Sequence, residues 1–289
     1  MLDFSLLRPP AKYPKYPGSY VNEEEYIESY FFNFYKKNIL DKGLKLDRLY
    51  IPIWWTNLFV DNHQIDVQRY INALDWTQKW FTVCQMDDGV RYKLPPDTLV
   101  FNAGGDSGHG NRVPIPLIAS PIPDALKTPN KPKDYLASFV GSMTHPIRQL
   151  VYEQCKNYKD FYFNPPRAWS QVVSDEALNE FIDVTERSAF CISPEGYGMS
   201  NFRNYQAFEL GVVPVYISSR KHWLPWEDSL KWHDFCVIIK PDQIYRMHDI
   251  LMEIYNDKER YNGMLKKAKE LYNDWFTLEG TCNQILKRL

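Results

Sequence analysis

Short apolar runs alternate with helically spaced stretches along most of this chain, and glycine, proline and capping residues mark where one gives way to the other. Residues 1–20 are rich in proline and tyrosine and read as an extended arm. A helix is predicted over 22–39, with Asn22 as its cap and Glu25 as the capping-box partner. Strands are predicted over 48–55, 80–86, 98–102 and 113–118, with a helix over 65–74. The Pro-, Lys- and Asp-rich stretch 121–134 reads as a linker. Beyond it the pattern resets, with strands over 136–140, 161–163 and 235–239. Pro146 opens a helix reaching about Tyr158, and Ser174 caps another over 175–187. From Gln243 to the end the spacing is helical, broken near Asn256 and Thr277.

Residues 190–219 condense this pattern. Phe190-Cys191-Ile192 is a buried strand by its apolar run, and a loop with Pro194, Gly196 and Gly198 follows. Ser200 or Asn201 can cap a helix over 202–210, Gly211 sits where a C′ glycine ends it, and 212–217 is the next strand. A glycine loop opening into a helix N-terminus turns backbone N–H groups outward, which suits an anion such as the phosphates of a nucleotide; an ordinary βαβ crossover without a ligand has the same pattern. Alternating strands and helices in both halves predict an α/β protein. It has two Rossmann-like, doubly wound lobes, residues 1–130 and 131–289, with a cleft between them and a helical C-terminus.

Composition narrows the function. With 34 Lys+Arg against 36 Asp+Glu there is no electrostatic case for nucleic acid. Five widely spaced cysteines form no CxxC or Cys/His cluster, so a reducing compartment and no zinc site are expected. Residues 1–10 lack the apolar core of a signal peptide, and no apolar run approaches the roughly 20 residues of a membrane span. A soluble, cytoplasmic protein is expected. The aromatic content of 16% suits carbohydrate handling, because sugar C–H faces pack on rings, but rings as core filler explain most positions.

The ordered residues Phe190, Cys191, Pro194, Gly196, Gly198, Arg203, Ala207, Gly211, Pro214 and Val215 carry a resemblance. They resemble the signature of the exostosin family of inverting glycosyltransferases: Phe-Cys-Leu-x-Pro-Arg-Gly-x-Gly, Ser-x-Arg, Glu-Ala, then Gly-x-x-Pro-Val. Phe139, Gly141 and Arg148 resemble the family's strand-Gly-helix entry to the C-terminal domain, and Trp223-Leu-Pro225-Trp226 with Trp232 and Phe235 resembles the region after Pro-Val. The N-terminal half matches more loosely, through Ile51-Pro52 and Asp87-Asp88-Gly89. Two positions depart: the family's usual arginine is Glu195, and its usual glutamate before the alanine, which holds a donor ribose in related two-lobed enzymes, is Gln206. Glu209 or Glu195 is the candidate substitute.

The resemblance implies a two-lobed, GT-B-like enzyme. Its C-terminal lobe would bind a nucleotide sugar and its N-terminal lobe a glycan acceptor. A UDP-sugar is expected, with UDP-xylose the leaning. The chain contains no Asp-x-Asp tripeptide, so no metal is expected, and charge on the leaving diphosphate would fall to a helix N-terminus and arginine. On the donor side this nominates Gly141, His145, Arg148, Pro194, Glu195, Gly196, Tyr197, Gly198, Ser200, Asn201, Arg203, Gln206 and Glu209. Against these stand plainer roles: a surface ion pair of Arg203 with Glu209 or Glu195, and an exposed helix arginine at 148. For the general base the candidates are Asp87 and Asp88 past one strand end, Asp106 and His109 in a glycine-rich loop past another, and His145 beside the donor. The alternatives are a catalytically silent nucleotide- or glycan-binding protein and a GDP-sugar (fucosyl) transferase.

Overall fold

The computed structural model describes residues 4–8, 26–60, 65–118, 121–128, 131–166, 168–169 and 174–289. The capping pair Asn22 and Glu25, and most of the expected N-terminal arm, lie outside the described residues. The chain divides into two units: Met1–Ser120 with Trp223–Pro225 and Asp274–Leu289, and Pro121–His222 with Trp226–Asn273. The first break thus falls after Ser120 rather than at 130, and the chain's end goes with the first unit rather than the second.

In the first unit α1 (Ile27–Tyr35) is followed by β1 (Leu49–Tyr50), α2 (Trp55–Val60), α3 (Val67–Asn72), β2 (Trp80–Cys84), β3 (Leu99–Asn102) and β4 (Asn111–Pro114). The strands form a parallel sheet in the order β1-β2-β3-β4. The strand expected over 48–55 stops early for a backbone reason. Leu49 N and Ile51 N reach Lys79 O and Phe81 O, both at 2.8 Å, but Ile53 N, the next donor on that side, turns back onto Ile51 O at 3.0 Å and ends the ladder. Trp55, read as strand from its apolar neighbours, opens α2 instead and anchors it through Nε1 to Thr82 Oγ1 at 2.9 Å. The rings of Phe31, Tyr50 and Phe81 pack with centroids 5.0–5.9 Å apart, which accounts for part of the aromatic excess as core.

Glu28, on α1, is enclosed beside this cluster. Its carboxylate accepts from Thr56 N at 3.1 Å, Thr56 Oγ1 at 2.9 Å and Gln85 N at 2.7 Å, tying α1 to the segments that leave β1 and β2. Burial pushes its carboxyl up to about 7, against the opposing pull of the Gln85 and Thr56 donors.

The second unit holds β5 (Tyr135–Phe139), α4 (Pro146–Cys155), β6 (Phe161–Phe163), α5 (Asp175–Glu186), β7 (Ser188–Pro194), α6 (Phe202–Glu209), β8 (Val213–Ile217), β9 (Val237–Ile239), α7 (Met247–Asn256) and most of α8 (Lys258–Trp275). Its sheet is parallel, in the order β6-β5-β7-β8-β9. Every residue of β7 is buried, as a central parallel strand requires. Phe190 and Ile192 join the core with Ile147 and Val151 of α4 and Leu251 of α7, while Cys191 between them packs on Ala207 of α6. The two-residue period of the strand therefore feeds helices on both faces, the doubly wound arrangement. Ser174 and Asn201 cap α5 and α6 through Ala177 N and Asn204 N, and Gly211 at φ +66° ends α6 where a side chain would be strained. The last helix, α9 (Leu278–Leu286), is capped by Thr277 and packs on α1 of the first unit.

Within 121–134, expected as a linker, the described residues 121–128 and 131–134 are pinned to other parts of the second unit. Ile122 N and Lys127 Nζ reach Glu209 at 2.7 and 3.2 Å, and Lys131 reaches Asp183 and Glu186 at 2.9 and 2.8 Å. No helix among the described residues is long and apolar enough to cross a membrane.

Replacing Glu28 with Gln is expected to remove a pH dependence. The folded protein binds the Glu28 proton more tightly than the unfolded chain, so wild-type stability falls as pH rises from about 4.5 toward 7, by about 3 kcal/mol relative to Glu28→Gln. Glu28→Ala, which strands buried donors, costs about 2–4 kcal/mol. Urea unfolding at stepped pH checks both, and parallel wild-type and Glu28→Gln curves would refute the assignment.

Candidate functional site

In the second sheet the chain leaves β5 toward β6 on one side and returns to β7 on the other, so the carboxyl ends of β5 and β7 flank the switch point where open α/β sheets bind ligands. Gly141 and the turn to α4 follow β5; the glycine loop and α6 follow β7. Arg148, on the first turn of α4, is buried rather than an exposed helix arginine. Its Nε donates to Glu195 O at 3.0 Å, Nη1 to Ser142 O at 2.8 Å and Nη2 to Pro194 O at 3.3 Å. One guanidinium thus joins both strand-end loops. Gly196 is small for that reason, since a Cβ there would stand 2.7 Å from Arg148 Nη2 and 3.2 Å from Thr144 Oγ1.

Arg203, half-buried on α6, donates from Nε to Val140 O at 2.7 Å. Its guanidinium lies across Gly141, where a Cβ would occupy the place of Nη2. The side chains of Arg148 and Arg203 both approach the Phe139 ring, with Cζ 5.7 and 5.2 Å from its centroid. The carboxylates weighed as surface partners of Arg203 go elsewhere, Glu209 to Lys127 and Glu195 to Arg220.

Pro194 and Gly198 are buried, and Tyr197 between the glycines is 68% exposed. Gly196 N closes the loop onto Gly198 O at 3.1 Å. Ser200 Oγ lies 3.3 Å from Tyr205 Oη, and Asn201 Nδ2 donates to Ser193 O at 3.2 Å while its Oδ1 caps α6. His145 caps α4, Nδ1 accepting from Ile147 N at 3.2 Å, so the neutral ring carries its proton on Nε2. Gln206 is half-buried on the next turn of α6. Glu209, at the far end of that helix, is taken up by the 121–128 segment.

The carboxylate of Glu195 is enclosed, and it accepts from Ser218 Oγ at 2.9 Å, Ser219 N at 2.8 Å, Ser219 Oγ and Arg220 Nε at 3.0 Å. Burial raises its carboxyl, but these donors outweigh burial and hold it below the ordinary carboxylate value.

In the first unit the two pairs of base candidates share one place. The turn Asp87–Gly89 packs on the loop 104–109: Cβ atoms at Gly89 and Gly104 would strike the backbone of Ser107 and Asp87, and His109 N donates to Val90 O at 2.8 Å. Asp87, Asp88 and Asp106 are half-buried and His109 is exposed. Asp88 pairs with Arg91, whose guanidinium covers the Phe59 ring at 3.9 Å. Among the described residues no three His, Cys, Asp or Glu side chains are grouped to hold a metal ion.

The model of the exostosin GT47 domain matches residues 62–254, more than half of the chain. The chain belongs to the exostosin GT47 domain family. A probable glycosyltransferase of Arabidopsis thaliana is 29% identical over 162 residues, covering 54% of this chain and 28% of that protein. A second one from the same plant is 32% identical over 139 residues, covering 47% and 27%. This exostosin-family chain thus spans roughly a quarter of the length of these relatives. Among solved structures, sucrose-phosphate synthase from Thermosynechococcus elongatus aligns with a TM-score of 0.45 at 11% identity, over 91% of this chain and 76% of that one.

Sequence reasoning missed Asn164, Ser218, Ser219 and Arg220. Asn164 holds the family's glycine turn, its Oδ1 accepting from Gly141 N at 2.7 Å and its Nδ2 donating to Gly141 O at 3.3 Å. Their signal was position alone, since Asn164 follows β6 and 218–220 follow β8, all at strand carboxyl ends.

Arg148→Gln is expected to destabilise the fold by about 2–4 kcal/mol by stranding buried carbonyls, against about 1 kcal/mol for Arg203→Gln. Chemical denaturation of both variants checks this; a larger loss at Arg203 would overturn the assignment of Arg148 as the strut.

Proposed function

We propose that this chain is a glycosyltransferase domain. It moves a sugar from a UDP-sugar to a glycan hydroxyl with inversion at the anomeric carbon and without a metal ion. Membership of the exostosin family supports the activity. The observation that carries the donor site is the pair of strand-end loops at the β5/β7 switch point, braced by Arg148 and opening onto the N-terminus of α6. There the backbone N–H groups of 197–200, the helix end, Arg203 and the Nε2–H of His145 meet the diphosphate. Tyr197 offers an exposed ring and Gln206 a polar group for the ribose.

In the transfer the acceptor oxygen bonds to the anomeric carbon as the bond from that carbon to the diphosphate oxygen breaks. The electron pair leaves with the nucleoside diphosphate, and the hydroxyl proton passes to a base. The second unit supplies the donor site in this reading. Asp87, Asp88, Asp106 and His109 remain the candidates for that base. Lack of an Asp-x-Asp tripeptide supports the metal-free chemistry.

Incubation with UDP- and GDP-sugars and a glycan panel, UDP-xylose first, is expected to release UDP in an acceptor-dependent way that EDTA leaves unchanged. Gln206→Ala should raise the donor KM several-fold. Binding without turnover across the panel would leave only a binding protein, and strict Mn²⁺ dependence would contradict the metal-free part.

A further inference from the structure

We infer that Arg220, held in place by the enclosed carboxylate of Glu195, receives the diphosphate of the ligand at the glycine loop. The inference rests on the nucleotide-sugar reading only for what the diphosphate is attached to.

Arg220 follows the carboxyl end of β8, next to β7 in the sheet. Its Nε donates to Glu195 Oε2 at 3.0 Å and its Nη2 to Tyr197 O at 3.3 Å, so two points fix the guanidinium against the loop. Nη1 has no protein partner among the described residues, and the side chain is 41% exposed. A flexible surface arginine would lose much rotamer freedom on meeting an anion; this one has lost it already.

Glu195 is otherwise hard to account for. A neutral side chain could tie β7 to β8 through Ser218 and Ser219, and burying a carboxylate is costly unless charged partners offset it. What a carboxylate adds is a charge-assisted bond that orients a guanidinium. The charge count points the same way. Arg148, Arg203 and Arg220 contact this loop or its neighbour Gly141, against the single carboxylate of Glu195. The excess positive charge suits a diphosphate, with Nη1 of Arg220 as its open donor.

The test is calorimetric titration of the whole chain with UDP, GDP and inorganic pyrophosphate, with thermal melts confirming that each variant is folded. Arg220→Gln, at an exposed position, should weaken UDP and pyrophosphate about tenfold or more, and Arg220→Lys should retain part of the affinity. Glu195→Gln should weaken UDP in the wild-type background and add nothing in Arg220→Gln, because Glu195 acts through the arginine. Unchanged UDP and pyrophosphate affinity in Arg220→Gln overturns the inference and leaves the transferase reading standing. Pyrophosphate binding lost with Arg220, together with no affinity for UDP or GDP, supports the inference and sinks the nucleotide-sugar reading. No binding of UDP or pyrophosphate to the wild type overturns the inference.

Discussion

A guanidinium buried at the end of a parallel sheet must be met by acceptors, because an unmatched buried charge costs several kcal/mol. Arg148 is met by backbone, with the carbonyls of Ser142, Pro194 and Glu195 turned toward it. Those carbonyls belong to the two loops that leave β5 and β7, so solvating one cation sets the spacing of both. Much else at the site follows from that bond set. Gly196 has room only for hydrogen beside the guanidinium, and Glu195 has its backbone committed while its side chain turns to Arg220. Gly141 leaves the space across which Arg203 lies.

The first unit solves a related problem with the opposite charge. There a carboxylate, Glu28, gathers donors from the segments that leave β1 and β2. Beside it the glycines of two loops interlock and bring Asp87 and Asp88 against the loop of Asp106 and His109. In each unit the ends of neighbouring strands are drawn together by one enclosed ionised or ionisable side chain. Such strand ends are where an α/β sheet leaves its backbone least satisfied.

Glu195 reads as a loss when the chain is compared with the exostosin signature, since an arginine would stand there. In three dimensions the cation returns from the next strand end, with the carboxylate beneath it. Spacing could not reveal this, because 195 and 220 belong to different strand ends and meet only through the β7/β8 pairing. Glu209 shows the reverse case. One turn beyond Gln206 it looked available to a ligand, yet it faces the segment that enters the second unit.

What the sequence determined by itself was local. Apolar runs specified the buried strands, Ser174 and the Ser200-Asn201 pair marked helix starts, Thr277 a break and Gly211 a helix end, because each depends on a backbone N–H, a carbonyl or a φ angle within a few residues. The glycine loop and its family signature were legible for the same reason. Only the tertiary structure decided which arginine is strut and which lies open, where each carboxylate turns, and that the chain turns back at Ile53 where its apolar neighbours would have continued a strand. Those outcomes depend on partners distant in sequence, and charge burial, unlike helix capping, is settled by whatever the fold brings alongside.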